Sequence, residues 1–282
     1  MKYPVFDAHV DTLMRIASTE EYLNGNSRTQ LDMPRAIKGG VTHLVTAICA
    51  EAEKEPHTAF CSGISRYRDA VHLSTIELLL MLEGCQPLVD LPEMNEIIEM
   101  LSVVSLTWNG ENSLGGGIGT DKGLTEKGKQ LATELDNAGV ILDVSHLCDR
   151  SRRDLLMLGL RTVATHCNCR AVHDFPRNLP DEDIQEIAAS GGVVGITFVP
   201  DFLGENSSLD TIADHLEHLV ELTDISNAGF GSDFDGVPNL PNGIKDCTSW
   251  PDMMELLDRR GWSSENIASV AGNNWRRVFL ND

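Results

Sequence analysis

Val5-Phe6-Asp7-Ala8-His9-Val10-Asp11 is a short apolar run with charged residues set into it, and its reading decides the rest of the chain. Side chains on a strand alternate between faces, so Asp7, His9 and Asp11 are expected on one face and Phe6, Ala8 and Val10 on the other. An imidazole and a carboxylate two residues apart on a strand can converge on one ion, and nitrogen plus oxygen donors suit zinc or a similar divalent metal. A polar edge strand carries the same residue types. What His9 and Asp11 mean therefore depends on which other groups the chain brings to them.

Further apolar runs end in polar residues: Val41 to Ala50, Leu78 to Glu83, Val103 to Trp108, Val140 to His146, Thr162 to His166, Val193 to Phe198 and Gly229 to Asp233. Helical period lies between most of them. Leu131, Leu135 and Ala138 recur at helical spacing before Gly139, and Ile212, Leu216, Val220 and Leu222 do the same in the seventh interval. Short strands alternating with helices imply parallel βαβ units. Eight such units predict an α/β protein of the (β/α)8 barrel type, read as one domain over residues 1–282, and the length suits a barrel of about 250 residues. Ser263 to Phe279 predicts a closing helix with Ser264 as cap and Ile267, Val270 and Ala271 as its apolar stripe. Gly115-Gly116-Gly117-Ile118-Gly119 matches neither phosphate-binding glycine pattern and predicts a mobile loop near a cleft.

Composition narrows the partners. Asp and Glu number 43 against 22 Lys and Arg, a formal net charge of −21. Such a surface does not suit nucleic acid or an anionic membrane, because both are bound through clustered Lys and Arg. No apolar stretch approaches the roughly 18 residues that span a bilayer, and no secretory signal is recognised at the start. Seven cysteines without a paired CxxC pattern are read as reduced thiols of a cytoplasmic protein.

In a (β/α)8 barrel, chemistry lies at the C-terminal ends of the strands. Run one ends in His9 and Asp11, run three in Glu83, run five in His146, run six in His166 and run eight in Asp233. Two carboxylates and three imidazoles on one rim suffice for two metals sharing a carboxylate, with Asp233 left over as a proton acceptor. Taken singly, each has a plainer role: a core histidine bonded to backbone, an acid at a helix start, an aspartate in a turn. It is their joint occurrence that predicts a centre. His173 is a further, outlying candidate.

The chain resembles the membrane (renal-type) dipeptidase family, peptidase family M19 of the amidohydrolase superfamily. Asp7-Ala8-His9-Val10-Asp11 resembles the family's Asp-Gly-His-Asn-Asp, and Leu82-Glu83-Gly84 its Val-Glu-Gly. Gly123-Leu124-Thr125-Glu126-Lys127-Gly128 is similar to Gly-Leu-Ser-Pro-Phe-Gly, and Arg177-Asn178-Leu179-Pro180-Asp181 to Arg-Asn-Val-Pro-Asp. Leu142-Asp143-Val144-Ser145-His146 and Thr165-His166 match the two His-bearing strand ends, and Gly229 to Val237 matches the eighth-strand motif. The resemblance implies a binuclear zinc site in which His9 and Asp11 hold one ion, His146 and His166 the other, and Glu83 bridges them. It further implies that Asp233 passes a proton to the leaving amine and that Arg177 pairs with the terminal carboxylate of a small dipeptide.

One motif departs from the family. Where the family carries Leu-Thr-His beside the substrate, this chain has Leu106-Thr107-Trp108. Trp108 can donate one N–H but can neither take up a proton nor ligate metal. The leading expectation is a zinc-dependent dipeptidase, with small dipeptides as substrates and, beyond these, at most a second copy of the chain as partner. Trp108 keeps open a metal-dependent hydrolase of another small amide, ester or lactone. A barrel used only for binding is the third reading.

Overall fold

The computed structural model describes residues 2–281. Eight strands alternate with helices: β1 (Val5–Val10), β2 (Val41–Ile48), β3 (Glu77–Glu83), β4 (Leu101–Ser105), β5 (Ile141–Asp143), β6 (Thr162–Val163), β7 (Val194–Ile196) and β8 (Ala228–Phe230). All paired strands are parallel, in the order β6-β5-β4-β3-β2-β1-β8-β7. Backbone bonds stitch β6 to β7 and close the ring: Ala164 N donates to Val193 O (3.1 Å) and Gly195 N to Ala164 O (2.7 Å). A side chain at Gly195 or Gly231 would strike the Thr165 carbonyl oxygen, so glycine is what lets β7 and β8 close in here.

The core has two layers. Phe6, Ala8, Val45, Ala47, Leu79, Met81, Val103, Ile141, Val163 and Val193 fill the barrel interior. Trp275 joins them, with Phe279 packed against the cluster, from the helix Asn274–Leu280. Trp275 donates its indole N–H to Phe230 O (3.0 Å), and Phe279 stacks on Phe6 with ring centres 5.6 Å apart. A side chain at Gly272 would meet Pro4 O at 2.9 Å and Phe6 N at 3.2 Å. This segment therefore lies across the starts of the strands and stoppers the N-terminal mouth. The larger core lies between the strands and the surrounding helices.

Several expectations need correcting. Val10 packs with the outer core while Phe6 and Ala8 face inward. The alternation breaks because β1 shifts register against β2 between Asp7 and Val10. The helix Glu126–Asn137 buries Gly128, Ala132 and Leu135, leaving Ala138 exposed. The closing helix is interrupted: Ser264–Ala268 and Asn274–Leu280 are α-helical, and a π turn over Ser269–Asn273 joins them. Its cap is Ser263, whose side chain accepts from Asn266 N, rather than Ser264. The first half of the glycine loop is packed tight: Gly115, Gly116 and Gly117 are buried, and a side chain at Gly117 would collide with Trp108 O, while Gly119 is exposed. Among the described residues no helix is long and apolar enough to cross a membrane.

Candidate metal centre

Trp108, His146, His166 and Asp233 all sit just beyond their strands, on the turns that follow. Two turns at this mouth carry positive φ. Asp233 and Asp235 have φ of +64° and +71°, a left-handed conformation seldom adopted by non-glycine residues. Gly84, directly after Glu83, has φ +88°, and a side chain there would come within 2.6 Å of Glu51 Oε1. The ends of β1 and β8 are tied by Asp233 N to His9 O (3.0 Å) and Asp11 N to Phe234 O (2.9 Å).

The predicted residues meet. Glu83 Oε1 lies 2.7 Å from His146 Nε2, 3.5 Å from His166 Nε2 and 3.7 Å from His9 Nε2. His9 Nε2 is 3.5 Å from Asp11 Oδ2 and 3.9 Å from Asp233 Oδ1. His146 Nε2 and His166 Nε2 face each other at 3.0 Å. Two overlapping donor sets, both built on His9, could hold an ion: His9, Glu83 and His166, and His9, Asp11 and Asp233. His9 Nε2 is buried with no hydrogen-bond partner among the described residues, and Glu83 Oε1 is buried among the three imidazoles. Buried polar atoms are rarely left without a partner, and imidazole nitrogens converging on carboxylate oxygens are a donor set that fits divalent cations.

The electrostatics agree with that fit. Burial disfavours charge on His9, but Glu83, Asp11 and Asp233 outweigh it and lift its pKa to about 10. Burial, then Arg177, depresses His146, and burial, then His9, depresses His166 further. Burial, then Asp11, pushes Asp233 well up. His9 keeps its proton against burial only because carboxylates surround it, and a divalent cation can neutralise those carboxylates in its place.

Arg177 is buried beside the centre. Its guanidinium donates to Ser145 O, approaches His146 Nε2 at 3.2 Å and lies 5.2 Å from the Phe202 ring centre. Trp108 stacks alongside His146 with ring centres 6.1 Å apart. His173 instead packs near Phe175, its ring centre 6.1 Å away. Asp7 does not join His9 and Asp11: its carboxylate accepts from Ser232 N (2.8 Å) and Ser232 Oγ (2.6 Å).

Sequence reasoning passed over two groups. Asn109 Oδ1 accepts from His146 Nδ1 (3.0 Å), which leaves Nε2 of that ring turned to Glu83. Glu51 gathers the N–H groups of Gln86 (2.9 Å) and Trp108 (3.3 Å) and the Asn112 amide (3.0 Å), fixing the loops around the mouth. Asn109 follows Trp108 directly in a loop without periodicity, so adjacency to that motif is the one cue the sequence offers.

A closed parallel barrel with histidines and carboxylates gathered at one mouth is the framework of a metal-site barrel. The profile of the membrane dipeptidase family, peptidase family M19, matches residues 54–281, and the chain belongs to this family. Two uncharacterized dipeptidases of Schizosaccharomyces pombe are similar. One is 33% identical over 165 residues, covering 57% of this chain and 40% of the relative. The other is 29% identical over 189 residues, covering 62% and 45%. The chain thus spans less than half the length of these relatives. Among solved structures, dipeptidase AC, a metallopeptidase of family M19, overlays with TM-score 0.88 at 25% identity, covering 99% of this chain and 98% of that one. A metallopeptidase from Rhodobacter sphaeroides, liganded with a phosphinate mimic of L-Ala-D-Ala, shares the fold with TM-score 0.87 at 24% identity, covering 99% of each chain.

Proposed function

We propose that this chain is a zinc-dependent dipeptidase. The observation that carries the proposal is the meeting of His9, His146 and His166 Nε2 around the buried Glu83 Oε1. On this reading His9 and Asp11 would hold one ion and His146 and His166 a second, with Glu83 available to both. Such ions, when bound, polarise a carbonyl and acidify water near neutral pH. Asp233 Oδ1, 3.9 Å from His9 Nε2, accepts the proton of the attacking water and returns it to the departing amine. The Arg177 guanidinium pairs with the substrate's terminal carboxylate, for which its planar fork is suited. Burial of Arg177 beside His146 sets a short reach from that carboxylate to the scissile bond, which favours dipeptides over longer chains.

Zinc-loaded protein is expected to hold two metal equivalents by mass spectrometry and to release amino acids from members of a panel of L,L and L,D dipeptides. Stably bound metal with no release from any dipeptide would overturn the reading. Trp108 beside His146 supports a second reading, hydrolysis of another small amide, ester or lactone, which predicts turnover of those compounds alone. The seven cysteines are all free, which supports a reducing, cytoplasmic setting.

A further inference from the structure

We propose that Thr165 is a positioning residue whose single hydroxyl aims two imidazoles, His9 and His166, at one point. The inference rests on reading those histidines as metal ligands. The geometry begins at Asp143, whose Oδ1 accepts from Ser145 N (3.2 Å), Ser145 Oγ (2.7 Å) and Thr165 N (2.8 Å). Asp143 Oδ2 accepts from Thr165 Oγ1 at 2.8 Å. All three residues are buried.

A hydroxyl has one proton and two lone pairs. Thr165 gives its proton to Asp143, so both lone pairs are left to accept. His166 Nδ1 lies 2.9 Å from Oγ1 and His9 Nδ1 lies 3.5 Å from it. Ser145 Oγ is also 3.4 Å away, but its proton goes to Asp143 and its lone pair accepts from His166 N (3.2 Å), so it claims neither lone pair of Thr165. With Nδ1–H turned to Thr165, each ring presents Nε2 to Glu83 Oε1, at 3.5 Å for His166 and 3.7 Å for His9. His146 is set separately, through Asn109. One carboxylate thus fixes one hydroxyl, and that hydroxyl fixes a ligand in each half of the centre.

Asp143→Asn tests this with an isosteric change. Three donors converge on Oδ1, so the amide oxygen takes that place and the NH2 faces Thr165. The hydroxyl must then accept from the amide and direct its own proton at His166 Nδ1, driving the ring proton to Nε2. Ring nitrogen resonances of His166 in metal-free protein are expected to change from an Nδ1–H to an Nε2–H pattern, with His146 unchanged. Zinc affinity, measured by chelator competition, is expected to fall roughly 10–100-fold. Thr165→Val should lose affinity similarly, and Thr165→Ser should keep both wild-type affinity and wild-type resonances. Should Thr165→Val fail to fold, Asp143→Asn and Thr165→Ser decide between them. Retention of Nδ1–H on His166 in Asp143→Asn, or wild-type zinc affinity in a folded Thr165→Val, overturns the proposal. A wild-type protein that binds no zinc would instead refute the metal reading, and the ring resonances would still decide the role of the hydroxyl.

Discussion

At the scale of single residues, the proposed chemistry separates holding metal from moving a proton. Asp233→Asn keeps an oxygen donor near His9 but removes the proton acceptor. It is expected to retain bound zinc while turnover falls about 10²–10⁴-fold. His146→Ala, by contrast, should cost one zinc equivalent on mass spectrometry. Full activity in Asp233→Asn would move the acceptor elsewhere. Trp108→His is expected to shift the ratio of kcat/KM between dipeptide and ester substrates while leaving thermal stability within about 0.5 kcal/mol, as for substitutions outside the core. Unchanged kinetics would remove Trp108 from the substrate's path. The residues legible from sequence share one property: His9, Glu83, His146, His166 and Asp233 each end an apolar run. Asn109 and Glu51 have no such frame, and their meaning arises only when the fold brings residue 51 to 86 and 112, and residue 109 to 146. Thr165 was visible as the neighbour of His166, but its role depends on which oxygen of Asp143 faces it.

At the scale of elements, each run found by hydrophobic pattern became a strand, because a buried parallel sheet demands continuous apolar stretches. The pattern failed where backbone geometry rather than burial decides the outcome. The register shift in β1 turns Asp7 aside to Ser232, and the π turn over Ser269–Asn273 breaks a helix whose apolar spacing is continuous. That break brings Trp275 into the barrel interior. Trp275→Ala is accordingly expected to destabilise the protein by about 3–5 kcal/mol in chemical denaturation, with zinc stoichiometry unchanged in the folded fraction. A loss below about 1 kcal/mol would show that the stopper contributes little to the core.

At the scale of the whole molecule, metal uptake and pH are linked. His9, with its pKa lifted from 6.5 to about 10, is charged in metal-free protein at neutral pH. Its pairing with the carboxylates stabilises the metal-free fold fully below about 6.5 and loses that contribution as pH rises through about 10. Zinc needs the neutral ring, so binding expels that proton, and apparent affinity should climb by up to about tenfold per pH unit between about pH 6.5 and about pH 9. Chelator competition across that range checks the slope, and a flat profile would contradict the assignment of His9. Zinc at about 100 times its dissociation constant should in turn raise stability by about 2.7 kcal/mol.

The indole of Trp275 and the ring of Phe279 cork the barrel at its lower end. A flask closed at the base fills and drains through the same neck. If dipeptides are cleaved inside it, the liberated amino acids must leave against incoming substrate, and they should slow the reaction as competitive inhibitors.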